Sequence, residues 1–158
     1  MIYIFDLDLT IWECFNKNND PIWAKQMVPP FKLNDGYITD DVHSKCFLRK
    51  CIDQQLLKLN QENHKIGFLS VGAYHDLPYE IQPSILLLKK FNLYPYFNYI
   101  KKLEYKTFDK ASVIKNIKEP LVLYDDNVNV LKSVQKFDNV TAVDATKISN
   151  WDDYEKND

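Results

Sequence analysis

Glycine is scarce in this chain, with three residues in 158, while Asn, Lys, Ile and Tyr are plentiful. A bias of that kind follows from AT-rich coding and says nothing of chemistry. Cysteine is equally rare: Cys14, Cys46 and Cys51 are odd in number and lack C-x-x-C spacing. That argues against a zinc site and suggests free thiols in a reducing, cytoplasmic compartment. No apolar run is long enough to span a bilayer, and the chain opens on a strand-like segment rather than a signal peptide, so no membrane role is expected. An excess of basic charge is missing too. Lys and Arg number 20 against 22 Asp and Glu, a net charge of -2 and a pI near 5.9. No overall field invites nucleic acid, and the pairs Lys89-Lys90 and Lys101-Lys102 are expected on solvated faces. Internal repeats and low-complexity linkers are absent.

What is present suits one domain with a real core: 46% of residues are hydrophobic and 14% aromatic. The stretch Ile2-Tyr3-Ile4-Phe5-Asp6-Leu7-Asp8-Leu9-Thr10 organises the rest. A short apolar run ends in two carboxylates two residues apart, with a hydroxyl two further on. In extended chain the side-chain period is two, so Asp6, Asp8 and Thr10 start on one side of the backbone. Like charges this close repel unless a cation sits between them, and Mg²⁺ prefers such oxygen ligands.

Further strands are expected at Lys65–Ser70, Tyr99–Leu103, Leu121–Tyr124 and Val140–Val143. Helices are expected over about 48–60, 81–91, 109–117 (capped by Thr107 or Asp109) and 128–137. Alternation of this kind predicts an α/β fold: a single doubly wound parallel sheet with helices on both faces and no large cap domain. Residues 11–47 show little periodicity and are expected to form a loop or lid inserted in a domain spanning 1–150, with a fraying polar tail at 151–158. The strands end in Asp6/Asp8, Ser70 and Asp125/Asp126, and in a doubly wound sheet such ends converge on one edge.

These residues resemble the haloacid dehalogenase-like phosphatase superfamily, whose pattern is hhhhDxDxT, a strand ending in Ser or Thr, a Lys at a helix start, and a strand ending in an acidic pair. Here the four elements are Phe5-Asp6-Leu7-Asp8-Leu9-Thr10, Phe68-Leu69-Ser70, Lys110 and Leu123-Tyr124-Asp125-Asp126, in that order over nearly the whole chain. Within the superfamily the chain is most similar to the small magnesium-dependent phosphatases, on the continuation to Ile11-Trp12, Pro29-Pro30-Phe31 and Asp125-Asp126-Asn127. That family often carries an arginine after the motif-two serine, where this chain has Val71, so one phosphate or substrate contact is expected to be missing.

The residues themselves outline a reaction. Asp6 would attack phosphorus to give an aspartyl-phosphate, and Asp8 would protonate the leaving oxygen and then deprotonate water. Mg²⁺ and a lysine would neutralise the phosphate charge. The expected metal ligands are the Asp6 carboxylate, the Asp8 carbonyl and Asp126, with Asp125 adjoining. Ser70 with the amides of Val71 and Gly72 would form a small phosphate-binding turn, and Thr10 would brace the first motif. Lys106 competes with Lys110 as the phosphate lysine. His43 and His64 are expected at the surface, whereas His75 lies near enough in sequence to approach the site. Trp12, Trp23 and Phe31 either line a substrate pocket or fill the core.

The expected activity is therefore Mg²⁺-dependent hydrolysis of a phosphomonoester by a monomer. The absence of a large cap would leave the site open to small molecules or to phosphorylated macromolecules, a phosphoprotein or a nucleic-acid end, although the charge does not point to nucleic acid; the family resemblance implies phosphotyrosine or sugar phosphates. A phosphorylatable receiver-like module and a degenerate binding-only relative are the alternatives.

Overall fold

The computed structural model describes residues 1–106 and 108–154, and folds them as an α/β protein with two sheets. Five parallel strands form the first: β1 (Ile2–Phe5), β7 (Lys65–Val71), β8 (Lys101–Glu104), β9 (Leu121–Asp125) and β10 (Val140–Asp144). Their order is β10-β9-β1-β7-β8. From β1 the chain steps outward through β7 and β8, then crosses to β9 and β10 on the other side. The apolar runs IYIF and LVLY are buried on both faces, as parallel strands require. Alternate residues point to opposite sides: Ile2, Ile4 and Leu123 pack with Ala111, Ile114 and Val134, while Phe5, Phe68 and Tyr124 join a larger cluster with Leu56, Leu87 and Trp151.

The expected helices are present with trimmed ends: α1 (Ile52–Gln61), α2 (Pro83–Lys90), α3 (Lys110–Ile114) and α4 (Val128–Val134). α1 starts four residues later than its apolar spacing suggests. Leu48 belongs to a strand, and Cys51 takes a left-handed φ of 64°, which no helix accommodates. Asp109 caps α3 by accepting from the Ala111 amide; Thr107, the other candidate, lies outside the described residues.

Residues 11–47 are not a loop. They supply most of a second, antiparallel sheet: β2 (Trp12–Phe15), β3 (Pro21–Ile22), β4 (Lys32–Leu33), β5 (Tyr37–Thr39) and β6 (Lys45–Leu48), ordered β3-β2-β6-β5-β4. Strands of two to four residues are too short to imprint a period on the sequence, and two of them begin at or just after proline, β3 at Pro21 and β4 two residues beyond Pro30. The expectation of one sheet fails for this reason. The second sheet has no separate core, since Trp12, Cys14, Ile38 and Cys46 belong to the same cluster as Phe5 and Tyr124.

The chain beyond position 150 likewise does not begin as a frayed tail. α5 (Trp151–Tyr154) packs on α1, and Trp151 is fully buried against Phe5 and Tyr124, at ring-centroid distances of 5.7 and 4.9 Å. No helix among the described residues is long and apolar enough to cross a membrane.

Candidate active site

β1 and β9 are neighbours in register, Phe5 opposite Tyr124, so the residues that follow, Asp6 and Asp125, stand side by side at the strand ends. The Asp6 amide donates to the Tyr124 carbonyl at 2.9 Å and holds that register to the strand ends. Asp126 follows directly. Carboxylate oxygens of Asp6, Asp125 and Asp126 lie within 4.8 Å of one another. α3 brings Lys110 into the same place, where its Nζ donates to Asp6 Oδ1 at 3.1 Å and to Asp125 Oδ2 at 2.6 Å. The lysine is only 6% exposed and Asp125 1%. Asp125 also accepts from the Asn127 amide on its other oxygen at 2.9 Å, so both its oxygens are engaged within the protein. Asn127 in turn caps α4 through the Asn129 and Val130 amides.

Charge explains why this cluster is poised. Burial drives the Asp6 carboxyl well above its ordinary pKa; Lys110 opposes this, and Asp125 and Asp126 reinforce it. Burial likewise raises Asp125 against the pull of Lys110. Burial works against a charged Lys110, yet its two carboxylate partners hold its pKa above the usual lysine value. One ammonium does not neutralise three clustered carboxylates. The all-oxygen donor set could hold a hard metal ion, with Asp6 and Asp126 offering oxygens that Lys110 does not occupy.

No family model and no curated protein matches this chain. The site's chemistry therefore rests on its own geometry.

Asp8 is held by the second sheet rather than the first. Its Oδ1 accepts from the Trp12 indole Nε1 at 3.0 Å and from the Ala24 amide at 2.9 Å. Burial raises its pKa, while these two donors and the charge of Lys25 pull it down. Between Asp8 and Thr10, Leu9 sits at φ 63°, a conformation that costs a residue with a Cβ. The turn is kept by the Leu9 amide donating to the Trp12 carbonyl and by Arg49, the chain's one arginine. Arg49 donates to the carbonyls of Leu9 (3.2 Å), Ala145 (2.6 Å) and Ile148.

A cavity of about 350 Å³ opens over these groups, lined by Asp6, Asp8, Asp125, Asp126 and Lys110 together with Ser70, Val71, Gly72, Trp23 and Lys25. A second cavity of about 310 Å³, lined by Trp12, Phe15, Pro21, Ile22 and Trp23, shares Asp8 and Trp23 with the first. A larger groove of about 690 Å³ lies along β10 and has no residue in common with the site.

The residues expected at the site thus converge, with two exceptions. Thr10 is fully buried and does not line the cavity; its hydroxyl finds no hydrogen-bond partner among the described residues, and its bond within the motif is the backbone one from its amide to the Leu7 carbonyl at 3.1 Å. The expected phosphate-binding turn is also incomplete. The Gly72 amide donates to the Glu104 carbonyl at 2.8 Å, and Ala73 follows it to the same oxygen, because the chain keeps pairing beside β8 past the end of β7. Ser70 is 2% exposed and its hydroxyl lies 3.3 Å from the Val71 carbonyl. Lys106 is exposed with its ammonium over the Tyr105 ring, which leaves Lys110 as the lysine of the cluster. His75 is exposed against Tyr105, and His43 is exposed as well. Of the aromatic residues, Trp12 is wholly buried, Trp23 lines both cavities and Phe31 packs against the core.

Sequence reasoning missed Ala24, Lys25 and Arg49. Ala24 acts through its backbone, and Lys25 and Arg49 stand in no motif, so no local signal marks them.

Proposed function

We propose that this protein is a divalent-cation-dependent phosphomonoester hydrolase of the haloacid dehalogenase-like type, built on a doubly wound parallel sheet, with Asp6 as nucleophile. The observation that carries the reading is the knot of buried Asp6, Asp125 and Lys110 with half-buried Asp126 at the ends of adjacent parallel strands, beside the separately held Asp8. Strand order reverses around β1, and the carboxyl ends on either side of such a reversal are where doubly wound sheets bind ligands.

Asp6 and Asp126 would hold the cation, with Asp125 fixing Lys110 beside them. A bound Mg²⁺ supplies positive charge that offsets the repulsion between a phosphate dianion and the carboxylates. Lys110 keeps one Asp6 oxygen oriented and favours the ionised form that attack requires. An Asp6 oxygen then forms a bond to phosphorus as the ester P–O bond breaks. Asp8, whose carboxyl burial keeps protonated more readily than an exposed one, gives its proton to the departing alkoxide. The ionised Asp8 next takes a proton from water, which attacks phosphorus of the aspartyl-phosphate and releases orthophosphate and Asp6. The Trp12 and Ala24 donors stabilise Asp8 in that ionised phase, so the same contacts serve both halves of the cycle. Acid–base help of this kind is worth about 10²–10⁴-fold.

The apolar cavity beyond Asp8 favours an alcohol that is aromatic or otherwise apolar, since the leaving oxygen must come next to Asp8 and the space past it is walled by Trp12, Phe15 and Trp23. Phosphotyrosine-like esters therefore rank ahead of sugar phosphates and nucleic-acid ends. The test is a Mg²⁺-dependent screen over these three classes with wild type and Asp6→Asn. Wild type is expected to turn over aryl phosphates and to stop when the metal is chelated. Asp6→Asn is expected to keep its circular dichroism spectrum and lose turnover; retained turnover would refute the nucleophile.

A further inference from the structure

The cavity over the carboxylates is lined by four acidic side chains and two ammonium groups, those of Lys110 and Lys25. Lys110 is already committed to Asp6 and Asp125. The turn after Ser70 offers little else to a phosphate: the Val71 side chain has no polar group, and the Gly72 amide is spent on Glu104. Arg49, the single guanidinium, is tied to three carbonyl oxygens. Lys25 is the other lysine at the cavity; its charge acts on Asp8, with which it makes no ion pair.

Its position is built. The 3-10 turn Ala24–Gln26 is pinned by the Ala24 amide to Asp8, by Gln26 Oε1 accepting from the Trp23 amide at 2.8 Å, and by the Gln26 amide donating back to the Trp23 carbonyl. The methylenes of Lys25 then lie across Gly72. A Cβ at Gly72 would sit 3.6 Å from Lys25 Cδ, and its φ of 125° is open to glycine alone at low cost. The ammonium is near enough to favour the ionised form of Asp8. A dianionic phosphoryl group entering beside Asp6 meets carboxylates on most sides and needs a cation on the remaining one.

We propose that Lys25 is the substrate-binding cation of this site, pairing with non-bridging phosphoryl oxygens across the cavity from Lys110. This rests on the hydrolase reading for its substrate but not for its binding test. The probe is orthophosphate, whose affinity for the full chain is measured calorimetrically in Mg²⁺, alongside kcat and KM for an aryl phosphate. Lys25→Met keeps the stem over Gly72 and removes the charge. It is expected to weaken orthophosphate binding by about 10-fold to 100-fold, as loss of a hydrogen bond to a charged group does, and to raise KM in proportion. Lys25→Arg is expected to restore both to within a few-fold, and neither variant is expected to change the melting temperature.

Unchanged orthophosphate affinity in Lys25→Met overturns the proposal, and so does a fall in kcat alone, which would mean that Lys25 acts through Asp8. Orthophosphate bound through Lys25 by a protein that hydrolyses no ester would overturn the hydrolase reading and leave the binding role standing. Wild-type turnover with Lys25→Met indistinguishable in binding and KM would do the reverse. Failure of the wild type to bind orthophosphate overturns the binding role, and the hydrolase reading is then decided by turnover of the aryl phosphate alone.

Discussion

The parallel sheet brings charge to the site from strand ends, Asp6 from β1 and Asp125 and Asp126 from β9, while the antiparallel sheet brings none to that cluster and holds Asp8 and Lys25 from the side. The two contributions rest on different physics. In the parallel sheet, register does the positioning: once Phe5 pairs with Tyr124, the carboxylates meet whatever the loops do. In the antiparallel sheet, short strands and a 3-10 turn place a backbone amide and an indole N–H on one carboxylate oxygen, which demands that the whole insert be packed correctly. The first arrangement concentrates like charge, and Lys110 is the counter-charge that offsets it within the protein. The second shares its apolar cluster with Phe5 and Tyr124 and is stable only as part of the whole.

The sharpest break in that comparison is Lys110→Met. Removing one partner of a buried ion pair costs about 3–5 kcal/mol, and here two carboxylates lose their counter-charge. With the lysine gone, the folded-state pKa values of Asp6 and Asp125 rise further above their unfolded values. The folded protein then holds protons that the unfolded chain has released, so stability falls as pH rises above the ordinary carboxylate range. Urea unfolding of the chelated variant is expected to show a defect that is largest at neutral pH and shrinks in acid. A defect independent of pH would mean that the lysine matters for packing and not for charge.

Ile38→Ala tests whether the second sheet is integral. Ile38 is fully buried in the shared cluster, and large-to-small changes of this kind cost about 2–5 kcal/mol. One unfolding transition, lowered as a whole, is expected by both circular dichroism and tryptophan fluorescence. Two separate transitions would make the antiparallel sheet an independent unit.

Trp12→Phe is the mildest of the three and separates the roles within the second sheet. It removes one of the two donors to Asp8 with modest loss of apolar packing, at about 1–3 kcal/mol of stability. A misplaced Asp8 is expected to cost up to about 100-fold in turnover. That donor stabilises ionised Asp8, so its loss raises the Asp8 pKa further, and the limb of the pH–rate profile that Asp8 sets moves to higher pH: the alkaline limb where it acts as acid, the acid limb where it acts as base. A profile that does not move would leave Asp8 without the acid–base role.

How much of this was legible beforehand depended on element length and on who holds whom. Asp6, Asp8, Ser70, Lys110 and the Asp125-Asp126 pair stand at the ends of long apolar runs or at a capped helix start, and such ends converge in a parallel sheet. Residues 11–47 read as a loop in the sequence because strands of two to four residues leave no period to detect. Trp151 looked like the edge of a polar tail, since only the docking of α5 on α1 shows that its ring belongs beside Phe5 and Tyr124. The amide of Gly72 was expected to face phosphate, and continued pairing beside β8 claims it instead.

By itself the sequence determined the strand-forming apolar runs, their α/β alternation and the carboxylates that terminate them, because side-chain period and burial are local consequences of composition. Tertiary structure decided which of those carboxylates share a lysine, which one is held by an indole and a backbone amide, and which other lysine lines the cavity. Those outcomes depend on register between distant strands and on the folding of an insert whose own pieces are too short to declare themselves.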